Sequence, residues 1–92
     1  MKITFDQAKR DATLADRGLA FEDAALVFEG DTLTVEDTRR RYGETRFQTV
    51  GFLAGRMVMV VWTPRSEACH VISMRKCNAR EKATYQKRFE ED

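Results

Sequence analysis

Three consecutive segments in the second half of the chain, TRFQTVGFLAG, RMVMVVWT and ACHVISMRK, are strand-like, and only the short breaks AGR and PRSE separate them. The middle segment is continuously apolar, as a strand buried on both faces is, whereas the last alternates apolar and polar residues as a half-buried strand does. Breaks this short permit hairpins or near-hairpins. With the alternating TLTVEDT before them, these segments predict a four-stranded antiparallel meander, with Gly51 as a candidate bulge. The intervening TRRRYGE reads as a solvated loop whose arginines can also grip a nucleic-acid backbone.

The elements flanking the meander follow from local rules. KITF reads as a short strand, and Asp6 can cap a helix with Ala8, Ala12 and Ala15 on its apolar side and Gly18 at its C-terminal cap. Phe21, Ala24, Ala25 and Phe28 recur at helical spacing and predict a second helix with both aromatics on one buried stripe, ending before Gly30-Asp31. Asn78 and Glu81 form an Asn variant of the capping box and start a third helix at Ala79. The expected fold is therefore α+β: an N-terminal strand and two helices, the meander, and a C-terminal helix, with the helices covering the sheet. Its 92 residues make one domain spanning 1–92, able to form a core without metal or disulfides.

Several function classes are disfavoured. MVMVVW is too short to span a bilayer, and MKITFDQAKRDA puts charges where a secretory signal needs an apolar run, so a soluble, cytoplasmic protein without membrane contacts is expected. Cys69 and Cys77 match neither a CxxC pair nor a metal-ligand spacing, and there is one histidine, so the expectation is two reduced thiols, no metal and no cofactor. The formal charge of +1 conceals an asymmetry: residues 1–37 carry four Lys/Arg and nine Asp/Glu, net −5, and residues 38–92 carry net +6. A positive later half favours a polyanionic partner, although exposed charge also serves solubility.

Chemistry-bearing residues gather near the last strand and helix, in HVISMRKCNAREKATYQ. A helix N-terminus beside Arg75 and Lys76 offers a seat for phosphate. Strict alternation places Cys69, Val71, Ser73 and Arg75 on one face and His70, Ile72, Met74 and Lys76 on the other, unless a bulge intervenes. Metal-free RNA cleavage needs a group to take the 2′-hydroxyl proton, a cation to offset charge gathering on phosphorus, and a group to protonate the leaving oxygen. Glu44, Arg46, His70, Arg75, Lys76, Glu81 and Tyr85 supply those types. Each also has a plain structural reading: Glu81 as a cap, Tyr85 as a helix anchor, Glu44 with Arg46 as a cross-strand pair, His70 as a surface strand residue.

Taken in order, FDQAKRDATLADRGLAFEDAALVFE, GETRFQTVG and VISMRKCNAREKATY resemble the BrnT family of bacterial toxins, small ribonucleases of the RelE-like superfamily, over nearly the whole chain. The resemblance implies a small RelE-like domain, metal-independent cleavage of RNA, and growth arrest. It also implies neutralisation by a BrnA-like ribbon-helix-helix antitoxin, through which alone DNA is bound. It carries over Glu44, Arg46, Arg75, Lys76, Glu81 and Tyr85 as site residues, and His70 is added on local chemistry. Arg75 and Arg46 then stabilise the phosphorane-like state, Glu44 or Glu81 is the base, and Lys76, Tyr85 or His70 is the acid. The chain departs from the family pattern at Thr13 and Asp16-Arg17-Gly18, where Asn and Lys-His-Gly are frequent, and at His70, where Arg is frequent. The alternative reading is a non-catalytic nucleic-acid-binding or interaction module.

Overall fold

The computed structural model describes residues 1–91. The expected meander is present as β2 (Leu33–Glu36), β3 (Phe47–Leu53), β4 (Arg56–Arg65) and β5 (Ala68–Lys76). Before it lie β1 (Lys2–Phe5), α1 (Gln7–Arg17), a 3₁₀ turn (Phe21–Asp23) and α2 (Ala24–Glu29); after it comes α3 (Ala79–Glu90). The N-terminal strand does not stand apart. β1 docks parallel to β5, giving one five-stranded sheet in the order β1-β5-β4-β3-β2.

Each face of the sheet has its own apolar cluster. On one side Phe21, Ala24 and Val27 pack with Val58, Val60, Cys69, Val71 and Met74. Fully burying a side chain of the size of Phe21, here 1 % exposed, stabilises by roughly 1.5–3 kcal/mol. On the other side Tyr85 and Phe89 of α3 pack over Val50, Met57, Met59 and Cys77. β4 is lined on both faces, which is why its sequence is continuously apolar. Buried Thr49 accepts a hydrogen bond from Trp62 Nε1 at 2.8 Å and shares one with Thr34 Oγ1 at 2.8 Å, so its hydroxyl is satisfied.

The caps behave as expected. Asp6 accepts from the Lys9 amide, Gly18 ends α1 in the left-handed region at φ 70°, and Asn78 and Glu81 complete a reciprocal capping box.

Four local expectations are corrected. First, strict alternation along β5 fails. Val61 pairs with Ser73 and Trp62 with Val71, so Ile72 is an extra residue in β5. The bulge inverts the pattern beyond it: Met74 joins Cys69 and Val71 in the core, while Ser73 and Arg75 turn to the side of His70.

Second, Gly51 is not a bulge. It pairs regularly with Val58, and it is required because α2 lies directly above: a Cβ there would meet Val27 Cγ1 at 2.6 Å. Third, the alanine side of α1 faces solvent. Ala8, Ala12 and Ala15 are exposed, and no residue of α1 is buried. Its attachment is polar instead, through Arg17 Nη1 donating to Met74 O at 2.8 Å and Arg10 Nη2 to Glu22 at 2.7 Å. β1 pairs with β5 only as far as Val71, so α1 runs beside the rest of that strand. The second helical segment is likewise modified: Phe21 is buried, but Phe28 is only half-buried and meets Trp62 edge-on at 5.6 Å.

Candidate nucleic-acid interface

The strand register arranges the α3 side of the sheet in rows. Thr4, His70 and Thr63 lie side by side on β1, β5 and β4; Ser73, Val61 and Gln48 form the next row; Arg75, Met59 and Val50 form the third. α3 covers the third row and its neighbourhood through Tyr85 and Phe89. The first two rows are left with half-exposed polar side chains, Thr4, His70, Ser73 and Gln48. Beside them α1 and β5 enclose an open cleft of about 530 Å³ lined by Lys9, Thr13, Asp16, Arg17, Ile72 and Ser73 among others.

His70 is held at one ring nitrogen only. Its Nδ1 lies 2.9 Å from Thr4 Oγ1, and Nε2 makes no hydrogen bond among the described residues. Burial lowers its pKa, with the charge of Arg65 adding to the effect; Glu44 and Asp6 oppose it and Lys9 reinforces it. The imidazole is therefore neutral near pH 7.

The segment before β3 brings charge to the same end of the face. Arg46 Nε donates to Glu44 Oε2 at 3.1 Å, and Arg65 Nη2 stands 3.5 Å from Glu44 Oε1. The Arg46 guanidinium stacks on the Tyr42 ring at 4.0 Å. Hydrogen bonding from Arg46 holds the Glu44 carboxyl below its usual range. The loop is more than a solvated run. Buried Asp37 accepts from Arg39 Nε and Nη2 at 2.8 and 2.7 Å and from Tyr42 Oη at 3.2 Å, while Thr63 Oγ1 donates to Thr45 O at 2.6 Å.

Arg75 and Glu81 meet at the foot of α3. The guanidinium donates from Nη1 and Nη2 to the two carboxylate oxygens, both at 2.7 Å, and Nη2 also approaches Met59 Sδ at 3.4 Å. This bidentate contact, with the Asn78 amide, brings the Glu81 pKa down to about 2. So weak a base is poorly matched to proton abstraction near neutrality.

The structure thus brings Glu44, Arg46 and His70 to one locality and places the Arg75–Glu81 pair two rows away, about 13 Å along β4 at ~3.3 Å per residue. Tyr85 is half-buried in the α3 contact, and its hydroxyl makes no hydrogen bond among the described residues. Lys76 is exposed and alternates to the opposite side of β5 from Arg75, near Arg56 and Lys82. Neither joins the His70 group. Three residues absent from the sequence reading do: Thr4, Lys9 and Arg65. Arg65, which the PRSE break left outside a strand, is the last residue of β4 and pairs with Ala68, whereas Thr4 and Lys9 depend on where β1 docks.

Among the described residues no helix is long and apolar enough to cross a membrane, and no group of three or more His, Cys, Asp or Glu is placed to hold a metal. Cys69 and Cys77 are buried and unpaired. A family model described as "Ribonuclease toxin, BrnT, of type II toxin-antitoxin system" matches residues 5–81. No curated protein matches the chain.

Proposed function

The chain belongs to the BrnT family, the ribonuclease toxins of type II toxin-antitoxin systems, and from that premise we propose that it is a metal-independent endoribonuclease whose open sheet face cuts RNA. The observation that supports this most directly is the His70 imidazole, held at Nδ1 alone at the uncovered end of the sheet, with Arg65 and Lys9 acting on it and Arg46 joined to Arg65 through Glu44. The cations bind the phosphodiester and offset the charge that accumulates on phosphorus, and His70 handles the proton. Glu44 acts by orienting Arg46 and Arg65, to which it is already committed.

Arg75 sits in the third row with its fork held and its charge offset by Glu81. Glu81 serves as clamp and cap. Tyr85 anchors α3, and Lys76 contacts RNA backbone outside the reacting centre.

Growth inhibition in the cytoplasm is restrained by a BrnA-like antitoxin encoded beside the toxin. Its ribbon-helix-helix part binds DNA as a dimer, so two copies of this chain ride on one antitoxin dimer. Mass measurement of the co-expressed complex tests that stoichiometry, and recovery of a lone toxin homodimer opposes it.

The central experiment incubates the purified protein with end-labelled RNA in excess chelator. The expected result is cleavage leaving 2′,3′-cyclic or 3′-phosphate ends, with loss of cleavage in Arg46→Ala and His70→Ala. Activity that disappears in chelator and returns with magnesium or manganese overturns metal independence. Salt-sensitive binding without cleavage overturns the enzyme reading and leaves a backbone-binding module.

A further inference from the structure

His70 is the single ring in the uncovered rows, and the group that holds it is neutral. Thr4 comes from β1, which reaches β5 only through a parallel pairing in which Thr4 and His70 are direct partners. The charged groups acting on the ring come from three other places: Arg65 on β4, Glu44 in the segment before β3, and Lys9 and Asp6 at the start of α1. None of these four hydrogen-bonds the imidazole.

We propose that Thr4 is a positioning residue whose hydroxyl oxygen, 2.9 Å from Nδ1, accepts a hydrogen bond from Nδ1–H and leaves the Nε2 lone pair free as the base for the RNA 2′-hydroxyl. This rests on the reading above that the open face cleaves RNA. A carboxylate in the place of Thr4 would also fix the ring, but its charge would favour the imidazolium and withdraw the base near neutrality. A hydroxyl orients the ring while leaving it neutral.

In the step itself the 2′-oxygen bonds to phosphorus, the bond from phosphorus to the 5′-oxygen breaks, and the 2′ proton passes to Nε2. The imidazolium that results still donates from Nδ1 to Thr4, so ring orientation is kept through the transfer. The departing 5′-oxygen takes a proton from water, and His70 later returns its proton to solvent. The products are a 2′,3′-cyclic phosphate and a 5′-hydroxyl.

The test uses Thr4→Val, which keeps the branched shape and removes the hydroxyl, and Thr4→Ser, which restores it. Thr4→Val should lower kcat roughly tenfold with KM nearly unchanged, because a misaimed base loses part of a contribution of about 10²–10⁴. Thr4→Ser should recover most of that loss, and the acidic limb of the pH–rate profile should move in Thr4→Val.

Nitrogen-15 imidazole spectra of the full chain without RNA should show the Nδ1–H tautomer in the parent and a mixture with Nε2–H in Thr4→Val. Parent spectra showing Nε2–H, or Thr4→Val with parental kcat and an unmoved acidic limb while His70→Ala is inactive, overturn the proposal. Absence of RNA cleavage by the parent defeats the underlying reading instead, and the spectra still decide whether Thr4 sets the tautomer.

Discussion

Replacing Glu81 by Gln separates structure from chemistry at the foot of α3. Gln retains an oxygen for the Asn78 amide, so the reciprocal cap survives in outline. The ion pair with Arg75 is lost, and the Gln amide group turns a donor toward a guanidinium. A carboxyl held at about 2 against an ordinary value of 4.5 corresponds to at most ~3.4 kcal/mol of differential stabilisation. Arg75 is 38 % exposed, so solvent screening reduces that ceiling, and a loss of about 1–2 kcal/mol at pH 7 is expected. For a domain of this size that means a Tm lower by about 4–16 °C.

The pH dependence has a definite sign. The folded-state pKa lies below the unfolded one, so the contribution is full above about 4.5 and is lost as pH falls toward about 2. Urea unfolding of both proteins from pH 7 to pH 3 should show a gap that narrows with acid. RNA cleavage at pH 7, measured below the Tm of the variant, should persist. A gap independent of pH would refute the ion-pair account, and loss of cleavage in a natively folded Glu81→Gln would return Glu81, or the Arg75 fork it holds, to the reacting centre.

Other perturbations have equally specific outcomes. Gly51→Ala drives a methyl against Val27 Cγ1, and urea unfolding should report a loss of about 1–3 kcal/mol, partly relieved when Val27→Ala is added. Arg46→Ala should reduce the salt dependence of RNA binding by about 0.7 in log–log slope, measured by filter retention, while Arg46→Lys restores the slope but not the cleavage rate. Asp37→Asn should loosen the 38–46 loop at a cost of about 1–3 kcal/mol. Because Arg39 holds the Asp37 carboxyl well below its usual range, the gap to the parent protein should shrink as pH falls below about 4.

What could be read in the chain without coordinates was decided within a few residues. Asp6, Gly18 and the Asn78–Glu81 box set helix ends because a cap is satisfied by the amides next to it. The apolar run of β4 and the short breaks beside it determined the meander, since so little chain permits only neighbouring antiparallel strands. The ordered motifs were sufficient for the family. Other features depended on contacts between distant segments. An extra residue at Ile72 reversed which side chains of β5 beyond it face the core, and local alternation contains no mark of where a strand slips against its partner. The alanines of α1 faced outward because that helix had only the flank of β5 to lie on, where arginines made the attachment. Arg75 and Glu81 were legible as site chemistry, yet their direct pairing became visible only once β5 and α3 had met. Thr4 and His70 stand 66 residues apart, and nothing near either of them specifies the parallel docking of β1. Tertiary packing alone made that choice, because burying Ile3 and Phe5 against the core of the sheet fixes the register that carries Thr4 to the imidazole.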